Sequence, residues 1–300
     1  DLLLKANFGI DRNYQKRKQY MPTTTLYGAR ENGSGYIAQA DNSDYLMELT
    51  ANYTKQFGDH NLNALVGHSY QLFDYEFLSG KSNDFITDGF LYNNLGAGNA
   101  KRPTVGSSAT KSRMASFFGR VNYSFKDRYL LTATLRADGS SNFADGNRWG
   151  YFPSVAAGWN IHEEAFMKPL KGKVNEFKLR ASYGSLGNEN IGLYKYQTLI
   201  DGTNGNETVF GNPDITWETV HMFNIGTDIR LFRNFAVTFE YYNKKTTDMI
   251  ITPPISYIGG INSAPINSGT VRNKGWELDL NYGKQVTKDF GFNIHGGLSQ

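Results

Sequence analysis

Ala115-Ser116-Phe117-Phe118-Gly119-Arg120-Val121-Asn122-Tyr123-Ser124-Phe125 sorts its residues by parity. Ala115, Phe117, Gly119, Val121, Tyr123 and Phe125 share one parity, and Ser116, Arg120, Asn122 and Ser124 share the other. A strand projects successive side chains to opposite faces, so this segment has one apolar face and one wet face. Its length matches the roughly 9–11 residues that a tilted strand needs to cross a bilayer. The same alternation recurs in eleven stretches, near 2–12, 44–57, 61–74, 113–125, 129–138, 150–162, 176–185, 220–231, 235–244, 274–283 and 289–299. Repeated along the chain, it predicts an all-β fold: part of a transmembrane antiparallel β-barrel.

The connections sharpen this reading. Short turns join the second stretch to the third at Gly58-Asp59-His60 and the fourth to the fifth at Lys126-Asp127-Arg128. Two more lie at Phe232-Arg233-Asn234 and between Lys284 and Lys288. Long connections intervene at about 13–43, 75–112, 186–219 and 245–273, with a medium one at 139–149. The link at 163–175 falls on the short-turn side yet is about a dozen residues long. Outer-membrane barrels alternate in this way, because periplasmic turns are tight and extracellular loops are long. Soluble sandwiches also alternate apolar and polar residues, but their loops do not sort by parity, and structureless loops of about thirty residues are rare in compact domains.

Composition bounds the alternatives. The chain has no run of eighteen apolar residues and its mean hydropathy is negative, which excludes helical membrane spans. A barrel hides its apolar residues at every second position, so it passes this filter. With 19 Tyr, 20 Phe, 32 Gly and only 8 Pro, the composition is that of a barrel wall. The net charge of +3 is well mixed, without a basic block that would point to nucleic acid or an acidic tail. Cysteine is absent, so disulfide and thiol chemistry do not arise. The chain opens within an apolar run at Asp1 and closes within a strand pattern at Gln300, with no signal-peptide n-region. The expectation is an internal or C-terminal part of a longer protein.

Parity also assigns faces. Phe235, Val237, Phe239 and Tyr241 are expected to meet lipid, with Thr238 and Glu240 toward the lumen. Likewise Trp276, Leu278, Leu280 and Tyr282 face out, while Glu277, Asp279 and Asn281 face in. Phe223, Ile225, Ile229 and Leu231 face out, and Asn224, Asp228 and Arg230 face in. Carboxylates exposed to lipid are costly, so their confinement to one parity supports the assignment.

Catalytic and metal signatures are missing from the sequence. The five histidines, His60, His68, His162, His221 and His295, are scattered, without a His-x-x-x-His pair. The acidic stretch 138–146 lacks the alternating ligand spacing of a calcium loop, and a polar surface loop is the plainer reading. No Gly-x-Ser-x-Gly elbow occurs, and Gly96-Ala97-Gly98 lies in a polar loop rather than between a strand and a helix. Neither enzyme activity nor a cofactor or metal is expected. A Ser/His/Asp triad is not visible in sequence, since its members need only meet in space.

Several blocks resemble the SusC/RagA family of TonB-linked outer-membrane proteins from Bacteroidetes. They are Arg120 to Arg136, Asp138-Gly139-Ser140-Ser141-Asn142-Phe143, and Asn147-Arg148-Trp149-Gly150-Tyr151-Phe152-Pro153-Ser154. They continue as Lys178 to Gly184 with Gly187-Asn188, then Asn212 to Thr219 leading to Phe223-Asn224-Ile225-Gly226. Tyr241 to Thr246 and Arg272-Asn273-Lys274-Gly275-Trp276-Glu277-Leu278 complete the set. The blocks keep the family's order over about 113–283, while residues 1–112 match only in general character.

The resemblance implies a barrel of about 22 strands, of which this chain supplies about 11 over residues 1–300. It also implies an N-terminal plug and a TonB box, both absent from this stretch, and energy drawn through the TonB complex. The implied partners are a SusD-like surface lipoprotein acting as a lid, an oligosaccharide or peptide cargo, and outer-membrane lipid. Lumen candidates for selectivity are Arg136, Asp228, Arg230, Glu240, Glu277 and Asp279. Tyr92, Tyr194, Tyr196, Phe210, Trp217 and Tyr257 are loop aromatics suited to stacking on a sugar or touching a lid. Packing within loops is the plainer role for each. Three functional readings stand on sequence: a TonB-linked importer, a passive or enzymatic outer-membrane barrel, and a soluble glycan-binding β-sandwich.

Overall fold

A computed structural model describes residues 1–300 apart from 100, 102, 201, 203–206, 210 and 255–263. Its strands are β1 (Leu2–Met21), β2 (Ser34–Phe57), β3 (His60–Asn83), β4 (Thr104–Phe125), β5 (Tyr129–Ser140), β6 (Trp149–Asn160) and β7 (Val174–Asn188). After these come β8 (Leu199–Ile200), β9 (Glu207–Val209), β10 (Glu218–Leu231), β11 (Phe235–Thr247), β12 (Ile250–Ile251), β13 (Ile266–Asn267), β14 (Val271–Gln285) and β15 (Gly291–Ser299). A short helix, α1 (Leu26–Arg30), is capped by the Thr25 hydroxyl, which accepts from Gly28 N at 3.0 Å.

Eleven strands form one sheet in chain order, β1-β2-β3-β4-β5-β6-β7-β10-β11-β14-β15, and the pairings from β5 onward are antiparallel. Among the described residues no ladder closes β15 onto β1. The sheet is therefore a partial barrel wall. The two remaining pairs, β8 with β9 and β12 with β13, are small ladders inside loops.

All eleven sequence-expected strands are present, and most are longer on the loop side than the alternation indicated. β1 runs to Met21, β2 starts at Ser34, β3 runs to Asn83 and β4 starts at Thr104. The expected loops 13–43 and 75–112 shrink to about 22–33 and 84–103. Asn13-Tyr14-Gln15-Lys16-Arg17-Lys18-Gln19 shows why. Where water wets both faces, period-2 hydrophobicity is no longer required, yet the main-chain ladder still propagates.

Two hairpin turns carry unusual residues. In the β4–β5 turn Phe125 O accepts from Arg128 N at 3.0 Å, and Lys126 and Asp127 both have φ of 53°. In the β10–β11 turn Leu231 O accepts from Asn234 N at 3.1 Å, with Phe232 at 51° and Arg233 at 65°. Two left-handed central residues define the I′ turn, whose twist matches that of the flanking strands. The link between β6 and β7, flagged by its length, folds into two 3₁₀ segments, Ile161–Glu163 and Ala165–Leu170.

The chain divides into two compact units. One comprises Asp1–Ala6, Glu48–Ser69 and Ala115–Gln300; the other comprises Asn7–Met47 and Tyr70–Met114. Within the second, Asp88 accepts from Tyr20 OH at 2.7 Å, Thr23 Oγ1 at 2.8 Å and Thr23 N at 3.2 Å. These bonds hold the Asp88 carboxyl below its ordinary range, with Tyr20 the largest cause. Phe85, only 2% exposed, meets the Tyr20 ring edge-on at 5.4 Å.

Within the first unit, the apolar face carries aromatic rows near both ends. On the turn side Phe57 stacks on His60 at 5.1 Å, His60 lies 4.7 Å from Phe125, Phe125 stacks on Tyr129 at 6.3 Å and Tyr129 on Trp159 at 6.4 Å. On the loop side His68 stacks on Phe117 at 4.5 Å and Phe117 on Trp149 at 6.0 Å. Phe117 to Phe125 spans eight residues and Trp149 to Trp159 spans ten. At about 3.3 Å per residue and a tilt of roughly 40°, the rows stand about 20–25 Å apart, the height of a lipid-facing band.

Candidate functional site: the polar face of the wall

The opposite face of the same unit carries a ladder of polar side chains hydrogen-bonded across β2 to β5. Asn63 Nδ2 donates to Asn52 Oδ1 at 2.9 Å and Thr54 Oγ1 at 2.8 Å, Asn122 Nδ2 donates to Asn63 Oδ1 at 3.3 Å, and Thr132 Oγ1 donates to Asn122 Oδ1 at 2.9 Å. These residues lie on β2, β3, β4 and β5, so the ladder crosses four strands. Such cross-strand pairs are the units that stabilise a sheet face.

Charged groups punctuate this face, and two of them bridge several partners. Toward the loop side Arg136 Nε donates to both carboxylate oxygens of Asp138, at 2.7 and 2.8 Å, and its Nη2 donates to Ser116 Oγ at 2.9 Å. Its guanidinium also lies 5.4 Å from the Phe118 ring centre, within cation–π range. Asp138 is 8% exposed, and Arg136 neutralises a charge that would otherwise be costly to bury. A recess of about 550 Å³ adjoins it, lined by Thr134, Arg136, Ser154, Ser182, Met222 and Asn224 among others.

The second group spans β7, β10 and β11. Arg180 Nη2 donates to Glu240 Oε2 at 2.8 Å and its Nε to Asp228 Oδ2 at 3.2 Å, while Thr238 Oγ1 donates to Asp228 Oδ1 at 3.2 Å. Gly226 stands between them, and a Cβ there would lie 3.0 Å from the Arg180 Cζ. A side chain at 226 would therefore crowd the bridge. Glu277 is the cross-strand partner of Glu240, and Asp279 that of Thr238. Asp279 Oδ1 lies 3.2 Å from His295 Nε2, and Arg230 Nη2 lies 3.7 Å from Glu176 Oε2.

The six expected lumen candidates lie on the parity of the polar face but are not one cluster: Arg136 pairs with Asp138, Asp228 and Glu240 with Arg180, Arg230 with Glu176 and Asp279 with His295, while Glu277 stands opposite Glu240. Phe239, Leu280, Phe223 and Ile225 stand on the other parity and are exposed to between 37% and 48%. Arg180 and Asp138 are not among the sequence-expected lumen residues, and Ser116 is expected there only as one of the wet-face residues of its strand. The signal for Arg180 was available, since Lys178, Arg180 and Ser182 alternate with Leu179, Ala181 and Tyr183.

The loops above this face have their own core. Phe143 and Ile215 are fully buried, with Phe152 at 6%, Ile191 at 7% and Trp217 at 8% exposure. Trp217 lies 5.0 Å from Phe143 and 5.5 Å from Phe152, and its Nε1 donates to Arg148 O at 3.1 Å. Its ring is consumed by packing rather than presented outward. Asn267 pins the next loop, accepting from Thr216 N at 2.7 Å and donating to Thr216 O at 2.9 Å and Asp248 O at 2.8 Å. Tyr194 and Tyr196 are half-buried, as is Tyr92, whose ring lies 5.1 Å from Lys18 Nζ. Tyr257 and Phe210 lie outside the described residues.

Near this loop core Glu189 is partly buried, with Oε2 lacking a hydrogen-bond partner among the described residues. Burial raises its carboxyl above the ordinary range, and the charge of Asp138 adds to this; a hydrogen bond with Ser140 opposes both.

Long strands with aromatic rows on an apolar face, a hydrogen-bonded polar face, tight turns at one end and large loops at the other define an outer-membrane β-barrel wall. The family model described as "TonB dependent receptor-like, beta-barrel" matches residues 3–299, and the chain belongs to that family of outer-membrane proteins. It is 34% identical to TonB-dependent receptor P3 of Formosa agariphila over 96% of this chain and 30% of that protein. It is 32% identical to TonB-dependent receptor SusC of Bacteroides thetaiotaomicron over 98% of this chain and 30% of that protein. Among solved structures, that of the RagAB peptide transporter superposes with a TM-score of 0.88 at 26% identity, covering 99% of this chain and 34% of that one. The chain spans about a third of the length of these relatives. The SusC/RagA resemblance seen in the sequence blocks is borne out, and with it the outer-membrane location.

Proposed function

We infer that this chain forms part of the barrel of a SusC-like importer that draws energy through the TonB complex and works with a SusD-like surface lipoprotein. The observation that carries this reading is the superposition on the RagAB peptide transporter over 99% of the chain. The cargo class is a peptide or an oligosaccharide. The polar face supports it, because a wall bearing Asn, Thr and Ser together with charged groups offers many hydrogen bonds to a hydrated oligomer. Arg136, Asp228, Arg230, Glu240, Glu277 and Asp279 act as selectivity groups in this reading. Tyr92, Tyr194, Tyr196 and Tyr257 are its loop contacts to cargo or lid.

The test is uptake of fluorescent peptides and oligosaccharides by cells carrying the full-length receptor, with and without its TonB box. Uptake of one class that collapses without the TonB box, or when the proton gradient is dissipated, supports the proposal. Uptake indifferent to both identifies a passive barrel instead.

A further inference from the structure

The β6–β7 link departs from the other turn-side connections in more than length. Ile161 is buried at its start, and Glu164 fixes its course. Glu164 accepts from Tyr129 OH at 2.6 Å and Trp159 Nε1 at 3.1 Å, and pairs with Arg128 Nη1 at 3.4 Å. Tyr129 and Trp159 belong to the aromatic row of the apolar face, so the link leans toward lipid rather than beneath the polar face. Beyond Glu164, Phe166 is 63% exposed and Leu170 is 42% exposed. Exposed Lys168, Lys171 and Lys173 are interspersed with them.

The neighbouring hairpin extends the same surface. Phe232 N donates to Lys173 O at 2.8 Å, which fixes the two connections side by side. Phe232 is 62% exposed, and Arg233 follows it. Both residues have φ above 50° in a turn that Asn and Gly occupy at lower cost. Local turn chemistry therefore does not explain the phenylalanine.

The geometry points to an interfacial docking surface for anionic phospholipid of the inner leaflet of the outer membrane. Phe166, Leu170 and Phe232 enter the boundary between headgroups and acyl chains. The ammonium groups of Lys168, Lys171 and Lys173 and the guanidinium of Arg233 meet lipid phosphates. Two observations select this occupant. The surface continues the Tyr129–Trp159 aromatic row, which marks the headgroup level on the turn side. Its exposed cations are complementary to an anionic headgroup, each lysine near such a surface contributing about fivefold in binding.

The experiment uses the full-length receptor in lipid nanodiscs, with nitroxide labels introduced by Phe166→Cys and by Phe232→Cys in a background free of other reactive cysteines. Dissolved oxygen should relax both labels more strongly than a water-soluble nickel chelate does. In native mass spectrometry, replacing Lys168, Lys171 and Lys173 together with Gln should reduce the preference for phosphatidylglycerol over phosphatidylcholine by roughly tenfold or more. Replacing the same three with Arg should preserve it. Labels fully open to the nickel chelate, or shielded from both reagents by another part of the protein, would overturn the proposal. So would an unchanged lipid preference in the Gln variant.

Discussion

Arg180 holds two carboxylates, Asp228 and Glu240, on neighbouring strands, and Glu277 stands opposite Glu240. Removing the guanidinium leaves like charges facing one another. Charge-assisted hydrogen bonds contribute about 1.5–3 kcal/mol. The Arg180 side chain is 32% exposed, so solvent screening reduces that figure. Arg180→Met should therefore destabilise the full-length receptor by about 1–2 kcal/mol in urea unfolding from vesicles, and adding Glu240→Gln should recover part of the loss. On the opposite parity, Leu280 lies between Trp276 and Tyr282 on the lipid-facing side of β14. Leu280→Arg should cost about 2–4 kcal/mol in the same assay. Asn281→Arg, one residue on but on the polar face, should cost much less. Equal costs at the two positions would contradict the assigned faces.

At the scale of elements, described residues of the loops share a buried core of their own, Phe143, Ile191, Ile215 and Trp217. Trp217 joins residues 139–149 to 189–217 through Phe143, Phe152 and the Arg148 carbonyl. Trp217→Ala removes a buried aromatic worth about 3–5 kcal/mol of local packing. Protease cleavage within 189–217 should accelerate while the wall keeps its resistance to unfolding. Glu189 couples this loop to pH. Its carboxyl is raised, so the folded loop binds the proton more tightly than the open chain does. The loop is then most stable below the ordinary glutamate range and loses stability as pH rises through the raised value. Cleavage of the loop should quicken between acid and neutral pH, and Glu189→Gln should flatten that dependence. Glu164 on the turn side runs the other way: Tyr129, then Trp159, hold its carboxyl low. The anchoring of its link is present above the ordinary glutamate range and fades only as pH falls through the lowered value.

For the whole molecule, the sheet order leaves β1 and β15 unpaired with each other among the described residues. Unpaired edges recruit other chains, and lipid tolerates only closed barrels. Refolded alone into vesicles, the 300-residue piece should neither conduct ions across a planar bilayer nor show the heat-dependent gel shift of a closed barrel. The full-length receptor should show the shift. Conductance by the isolated piece would mean that it closes on itself.

Alternation of period two, as in Ala115–Phe125 and Phe235–Tyr241, determined the strands, their faces and the split between tight turns and long loops. It did so because lipid on one side and water on the other impose opposite demands on neighbouring residues. The blocks from Arg120 to Leu278 carried the family. Alternation fell silent where both faces are wet, so the loop-side extensions of β1 to β4 emerged only from the main-chain ladder. Nor does parity say which groups meet across strands. The Arg180 bridge, the hydrogen bond from Arg136 to Ser116 and the burial of Trp217 each depend on register between segments tens of residues apart. Contacts of that separation are set by how the strands align and the loops fold back, and only the tertiary structure decides them.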